Sequence, residues 1–359
     1  MRPKRLAVGL AYLAVLALTA VAGLRVGAGS SASAPDSRPG TSAGESTAGS
    51  QPGRTPAEQE LATALQAGVK RAAELGGEVE AAAMLDRSPA PILASSERGG
   101  EARYMRMWSM SKVATMVALL RLLGWGERPG ETLSPEIVSA LEGALTRSEN
   151  CRQRRVVLEL QRAARGIPEA RRSLAEVFSL AGGRIVPGTQ VEAPESLCVP
   201  FLSEQTEIPE PLAPALLLGT SRWRVTDAVR LAHALAVGTY GKAISEQVLE
   251  LMRAPKQPSR ESKPGELTAP LDWGAGASFP GLSPAYKAGW GGSLNGNFLA
   301  GQIVVVPIGD DHLSLAVMFH PDSQPSRDDP GITTAPEAIE RVMEEVRSGV
   351  PSSVSELKG

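Results

Sequence analysis

Between Val113 and Leu123 the chain is apolar except for Thr115 and Arg121, which leaves a helix there almost no polar face to turn toward water. Such a segment belongs in the middle of a domain, with other elements packed around it. Ser109 and Lys112 stand at its start. Residues three apart share a helix face, so this spacing sets a hydroxyl beside an amine at the mouth of a buried helix. That pairing is the minimal apparatus of a serine nucleophile with a lysine base. The spacing by itself is cheap, because Ser355-Glu356-Leu357-Lys358 repeats it near the end of the chain. What distinguishes the first copy is the apolar run behind it.

A length of 359 residues accommodates two domains or one domain with a large insertion, and 42% hydrophobic residues support a sizeable core. The net charge of -2 and pI near 6.1 give no electrostatic reason to expect nucleic acid. Aromatics, at 4%, are too few for stacking platforms. Lysine is scarce beside arginine, so each lysine carries more information than usual. At the amino end Arg2, Lys4 and Arg5 precede an uncharged run from Leu6 to Leu24. Its length lies between a signal-peptide core of about 7–15 residues and a membrane span of about 20. Residues 1–28 therefore read as a signal peptide or membrane anchor, and 29–54, rich in Ser, Gly, Pro and Ala, as a disordered tether. The basic start places the remainder outside the cytoplasm, membrane-anchored or secreted.

Thr55-Pro56-Ala57-Glu58 has the pattern of a capping box with proline at the first helical position, followed by Leu61, Leu65 and Val69 on one face. Two strands are expected over 78–85 and 91–95, then the apolar helix. Ser134-Pro135-Glu136 opens a further helix with Ile137, Leu141 and Leu145 on one side. Helices over 152–165 and 169–180, a proline-rich irregular stretch over 184–224, and helices over 225–236 and 245–253 follow. Strands over 286–289, 296–306 and 313–319, and a helix over 336–346, close the domain. The two groups of strands are expected to join in one antiparallel sheet flanked by the N- and C-terminal helices. This is an α+β fold with an all-helical lobe at about 105–255, the domain spanning 55–348 and a flexible tail 349–359.

Two further segments carry candidate chemistry. Ser148-Glu149-Asn150 lies in a turn between helices, and Lys287-Ala288-Gly289 opens a strand where the glycine permits close approach of a ligand to the strand edge. In their order, Ser-x-x-Lys, Ser-x-Asn and Lys-x-Gly, these motifs resemble the penicillin-recognising serine hydrolases, the class A β-lactamases and D-Ala-D-Ala peptidases. The resemblance implies a β-lactamase/transpeptidase-like fold in an exported, actinobacterial-type member, monomeric, with no metal or cofactor. Its substrate would be a β-lactam or a peptidoglycan stem peptide. It makes Ser109 the acylated nucleophile, Lys112 its base and Ser148 the relay to the leaving nitrogen. Asn150 would orient the substrate and Lys287 attract its carboxylate, with an oxyanion hole from the N–H groups of Ser109 and of Trp290, the residue after Gly289.

The chain departs from that pattern in four ways. Ala288 replaces the usual Thr or Ser, and Glu149 the more frequent aspartate. The stretch from Ser109 to Ser148 is short. No glutamate-bearing loop ending in asparagine is evident, since Glu207 and Glu210 are followed by Ala213. Missing that glutamate implies slow hydrolysis of the acyl-enzyme, so a penicillin-binding D,D-peptidase-like protein and a non-enzymatic cell-wall scaffold stand as alternatives to a β-lactamase. The three histidines, with no Gly-x-Ser-x-Gly elbow, do not suggest a Ser-His-Asp triad. In an exported chain the two cysteines, Cys151 and Cys198, are expected to form a disulfide stapling the 184–224 stretch to the turn that carries Ser148.

Overall fold

The first helix begins at the expected cap. In the structure, a computed structural model that describes residues 53–97, 102–127, 132–186, 221–254, 274–291, 299–322 and 331–350, Thr55 is the N-cap of α1 (Pro56–Ala73) and its hydroxyl accepts the Glu58 N–H. The Glu58 carboxylate returns to the Thr55 N–H at 2.9 Å and accepts the Ser88 hydroxyl at 2.8 Å. Hydrogen bonding, foremost from the Thr55 backbone, holds the Glu58 carboxyl below the usual range although the side chain is buried. All described residues belong to one compact unit, Pro52–Gly359. The apolar run 6–24 and most of the tether lie outside them. Among the described residues no helix is long and apolar enough to cross a membrane.

Strands β1 (Gly77–Leu85) and β2 (Ile92–Ser95) pair antiparallel, and the chain then makes a two-residue strand, β3 (Met105–Arg106). The apolar run forms α2 (Ser111–Leu122), followed by α3 (Pro135–Thr146), α4 (Asn150–Ala163) and α5 (Ile167–Leu180). A second short strand, β4 (Arg222–Trp223), returns to pair with β3. Then come α6 (Val225–Ala236), α7 (Lys242–Arg253), the single turn α8 (Ala275–Ser278), β5 (Ala285–Gly291), β6 (Leu299–Ile308), β7 (Asp311–Pro321) and α9 (Gly331–Ser348). The large sheet is antiparallel with order β2-β1-β7-β6-β5, so the two groups of strands meet where β1 pairs with β7.

Strand alternation divides the core in two. Val79, Ala81 and Ala83 of β1, with Leu315 and Val317 of β7, pack beneath α1 and α9, whose Leu65, Val69, Ile339 and Val342 fill that layer. Ala82, Met84, Ala316 and Met318 face the other way, toward α2 and α6. Helix α2 is buried almost all round, as its composition demands, from Ser111 to Leu120. Edge strand β5 and the start of α2 thus meet where the sheet gives way to the helices. Removing the cap as Thr55→Ala is expected to cost about 1 kcal/mol, read as a fall in Tm of roughly 2–4 °C with the far-ultraviolet circular dichroism of the folded protein unchanged.

Candidate active site

Ser109 does not lie on the buried helix. It sits in a 3-10 turn, Trp108–Met110, just ahead of α2, which corrects the expectation of one continuous helix face shared with Lys112. Trp108 takes a positive φ of 45°, a left-handed conformation uncommon for a bulky residue. Hydrogen bonds hold this turn. The Ser111 hydroxyl donates to the Trp108 carbonyl at 2.6 Å, Thr115 to the Ser111 carbonyl at 3.2 Å, and the Gln153 amide to the Thr115 hydroxyl at 3.1 Å. The polar exception in the apolar run therefore ties the nucleophile turn to α4. The Met107 N–H, donating to the Ser221 carbonyl at 2.9 Å, fixes the other end. Backbone strain of this kind persists only where the surroundings over-determine it.

The turn presses on the sheet edge through glycine. A Cβ at Gly289 would lie 2.9 Å from the Met110 nitrogen and 3.0 Å from the Met107 carbonyl oxygen. A Cβ at its register partner on β6, Gly301, would lie 2.9 Å from the Met110 methyl, the mobile end of that side chain, and 3.0 Å from the Val317 carbonyl oxygen. The glycine two residues after Lys287 is thus required by the close approach of the turn that carries Ser109. Ala288 points to the opposite face, into the layer beneath α1 and α9.

Lys112 reaches from α2 and Lys287 from β5, and each is only 3% exposed. Both converge on Ser148, itself held at a positive φ of 57° in the turn between α3 and α4. The Lys112 ammonium donates to the Ser148 carbonyl at 2.5 Å, to Asn150 Oδ1 at 2.9 Å and to Ser148 Oγ at 3.3 Å. Lys287 donates to Ser148 Oγ at 2.8 Å and to the Ala288 carbonyl at 2.8 Å. Two lysine donors fill both lone pairs of the Ser148 hydroxyl, so its own proton is the one group left to give away. Among the described residues Lys112 makes no hydrogen bond to the Ser109 hydroxyl, which is partly exposed in the turn.

Burial pushes Lys112 well below the usual lysine range; Lys287 lowers it further, and Glu149 acts in the opposite sense. Burial takes Lys287 down to about 7. The Glu149 carboxylate is engaged by Arg147 at 2.5 Å and Arg152 at 3.4 Å, so its charge is already shared. An amine of depressed pKa bonded to one hydroxyl, three residues after another, belongs to the side-chain chemistry of acyl transfer to serine.

Ser109, Lys112, Ser148, Asn150, Lys287 and Gly289 are therefore brought together, while Trp290 lies on the same edge strand opposite Ala300. Cys151 follows Asn150 on α4 and is not a free thiol. Its expected partner Cys198 lies outside the described residues, as do Glu207, Glu210 and Ala213. Thr115, Gln153, Ser111 and Gly301 were not singled out as site residues from sequence. Thr115 alone left a signal, as a polar residue in an apolar helix.

Solved structures share this arrangement of elements. A β-lactamase from Xanthomonas campestris aligns with a TM-score of 0.53 at 14% identity, covering 81% of this chain and 99% of the other. A class A β-lactamase from Bacteroides cellulosilyticus gives 0.52 at 14%, with 82% and 100% covered. The transpeptidase domain of a D,D-transpeptidase from Legionella pneumophila gives 0.52 at 14%, with 81% and 96% covered. The fold is that of β-lactamases and D,D-transpeptidase domains. No protein-family model matches the chain, and no curated protein matches its sequence.

Two predictions follow from this packing. Gly289→Ala forces the nucleophile turn away from β5 and is expected to destabilise the fold by about 1–3 kcal/mol, seen as a lower denaturation midpoint. The lysines set a pH dependence of stability. Their folded pKa values lie below the unfolded value, so between about 7 and 10.4 the unfolded chain binds more protons and stability rises with pH. Urea titrations across that window are expected to show the rise, and Lys287→Met to flatten it.

Proposed function

We propose that this protein is an exported serine hydrolase whose Ser109 is acylated by β-lactams or D-Ala-D-Ala peptides. The observation that carries the proposal is the convergence of two buried lysines on the Ser148 hydroxyl beside a held, partly exposed serine. The fold shared with β-lactamases and a D,D-transpeptidase domain supports it. In the proposed step neutral Lys112 takes the Ser109 proton as the serine oxygen bonds to the substrate carbonyl carbon. Loss of one Lys112 proton, from its longest contact of 3.3 Å to Ser148 Oγ, leaves a lone pair that rotation about the Cε–Nζ bond must turn toward the Ser109 hydroxyl for this transfer. The N–H groups of Ser109 and Trp290 receive the oxyanion. When the carbon–nitrogen bond breaks, Ser148 gives its proton to the leaving nitrogen and is reprotonated from Lys112. Asn150 orients the substrate, and protonated Lys287 holds its carboxylate.

Hydrolysis of the acyl-enzyme requires a base for water. The expected source of a carboxylate, within 184–224, falls largely outside the described residues. Export through the 1–28 segment and a Cys151–Cys198 disulfide belong to the same proposal. They are supported by the basic start with its uncharged run and by the absence of a free thiol at Cys151.

Labelling the protein with a fluorescent penicillin tests the assignment. Wild type is expected to take covalent label and Ser109→Ala none, and an unlabelled wild type at saturating probe overturns it. Chromogenic cephalosporin turnover then separates rapid hydrolysis from slow release. The pH profile adds a sign. Lys287 carries its charge below about 7, so labelling by a penicillin with a free carboxylate is expected to fall above that pH. A penicillin ester, which has no charge to hold, is expected to lack that alkaline limb.

A further inference from the structure

Behind the nucleophile turn lies a cavity of about 380 Å3, in the size range of small-molecule sites. Its floor is the end of the large sheet, from β1 across β7 to β6, and its roof is the chain from Arg103 to Arg106 with Arg222 of β4. Neither Ser109 nor either site lysine lines it.

Its charges are sorted. At the β1 side three carboxylates share one guanidinium. Arg103 pairs with Glu78, with Glu97 at 2.6 Å and with Glu80 at 3.7 Å. Glu80 is 3% exposed and its two oxygens accept the Arg103 backbone N–H. One cation among three acids leaves this end short of positive charge, and burial raises the Glu80 pKa. Toward β6 the roof carries Arg106 and its strand partner Arg222, which is exposed and has no carboxylate partner among the described residues. The rest of the lining is Tyr104 and Met105 in the roof, His320 of β7 between the ends and apolar Leu299 of β6. Arg103 is bonded to Glu80 of β1, and Arg106, with its partner Arg222, stands three residues further along the roof, which separates the acidic and basic ends by up to roughly 10 Å. An extended peptide advances about 3.3–3.6 Å per residue, so two or three residues bridge that gap.

We infer that this cavity is a second binding site, distinct from the cleft at Ser109, for a free zwitterionic peptide of two or three residues. Its ammonium sits at Glu80 and Glu78, its carboxylate at Arg222, and an apolar side chain lies on Met105 and Leu299. The site reads both chain ends, so a peptide blocked at either end loses a charge-assisted contact.

Calorimetry of the full chain with Ala-Leu-Ala is the test. Saturable binding with a Kd of about 1 mM or tighter is expected. N-acetylation and C-amidation are each expected to weaken it about tenfold or more. Arg222→Ala, at an exposed position, is expected to weaken the free peptide but not the C-amide, and Glu80→Gln the free peptide but not the N-acetyl form. Lys287→Met is expected to leave the affinity unchanged, whereas loss of binding there would assign the peptide to the Ser109 cleft. Absence of saturable heat, capped peptides binding as well as the free one, or an unaltered Arg222→Ala each overturns the inference.

Discussion

Two ammonium groups cannot rest comfortably on one hydroxyl in a site closed to water. Lys112 and Lys287 both do so at Ser148, each 3% exposed, and the Glu149 carboxylate that acts on Lys112 is already bound by Arg147 and Arg152. Desolvation and mutual repulsion therefore act together to expel a proton, and the pair titrates as a unit. Which lysine yields is set by position. Lys112 feels burial and also its neighbour's charge, so it becomes the neutral amine while Lys287 keeps a charge up to about neutrality. The repulsion between the two is mutual, so loss of one proton relieves the other amine, and two identical side chains can hold one neutral amine beside one ammonium.

That arrangement depends on close packing more than on hydrogen bonds. Lys287 comes from an edge strand, Lys112 from a buried helix and Ser148 from a turn between two other helices. The contact that brings strand and helix together is Met110 against Gly289 and its register partner Gly301. A side chain at Gly289 would separate them, because it meets the backbone of the turn. The positive φ at Trp108 lies on the turn that makes this contact, and that at Ser148 on the turn that the two lysines bond. Those two angles are sustained by neighbours that have no freedom to relax, chiefly the Gln153-Thr115-Ser111 chain on one side and the lysine bonds on the other.

Long-period features were legible from sequence and short ones were not. The cap at Thr55, the buried helix and the sheet strands carry periodic or capping signals over many residues, and each appears within a few residues of its expected span. The 3-10 turn at Ser109 escaped because three residues have no period, so the apolar run was extended backward over it. The β3–β4 ribbon escaped for the same reason, each strand having two residues whose partners lie far along the chain. Lys112, Ser148, Asn150 and Lys287 were readable because their residue types are unusual in apolar or turn contexts. Gly301 was not, since a glycine in a strand names no partner until the register is known.

At 14% identity the shared fold does not decide the reaction, and function has to be argued from the site. The site divides the catalytic cycle between two kinds of structure. Groups proposed for acylation sit on the 3-10 turn before α2, on α2 itself, on β5 and on the α3–α4 turn, elements packed against the core, so their positions are fixed by the same packing that stabilises the protein. Under the proposed function, a deacylating carboxylate would come from the sequence between α5 and β4, which lies largely outside the described residues. The proposed acylating groups are held by the packing that stabilises the protein, whereas release would depend on a separate segment. On that proposal, a β-lactamase differs from a slow penicillin-binding protein in whether that segment brings a carboxylate to the acyl-enzyme.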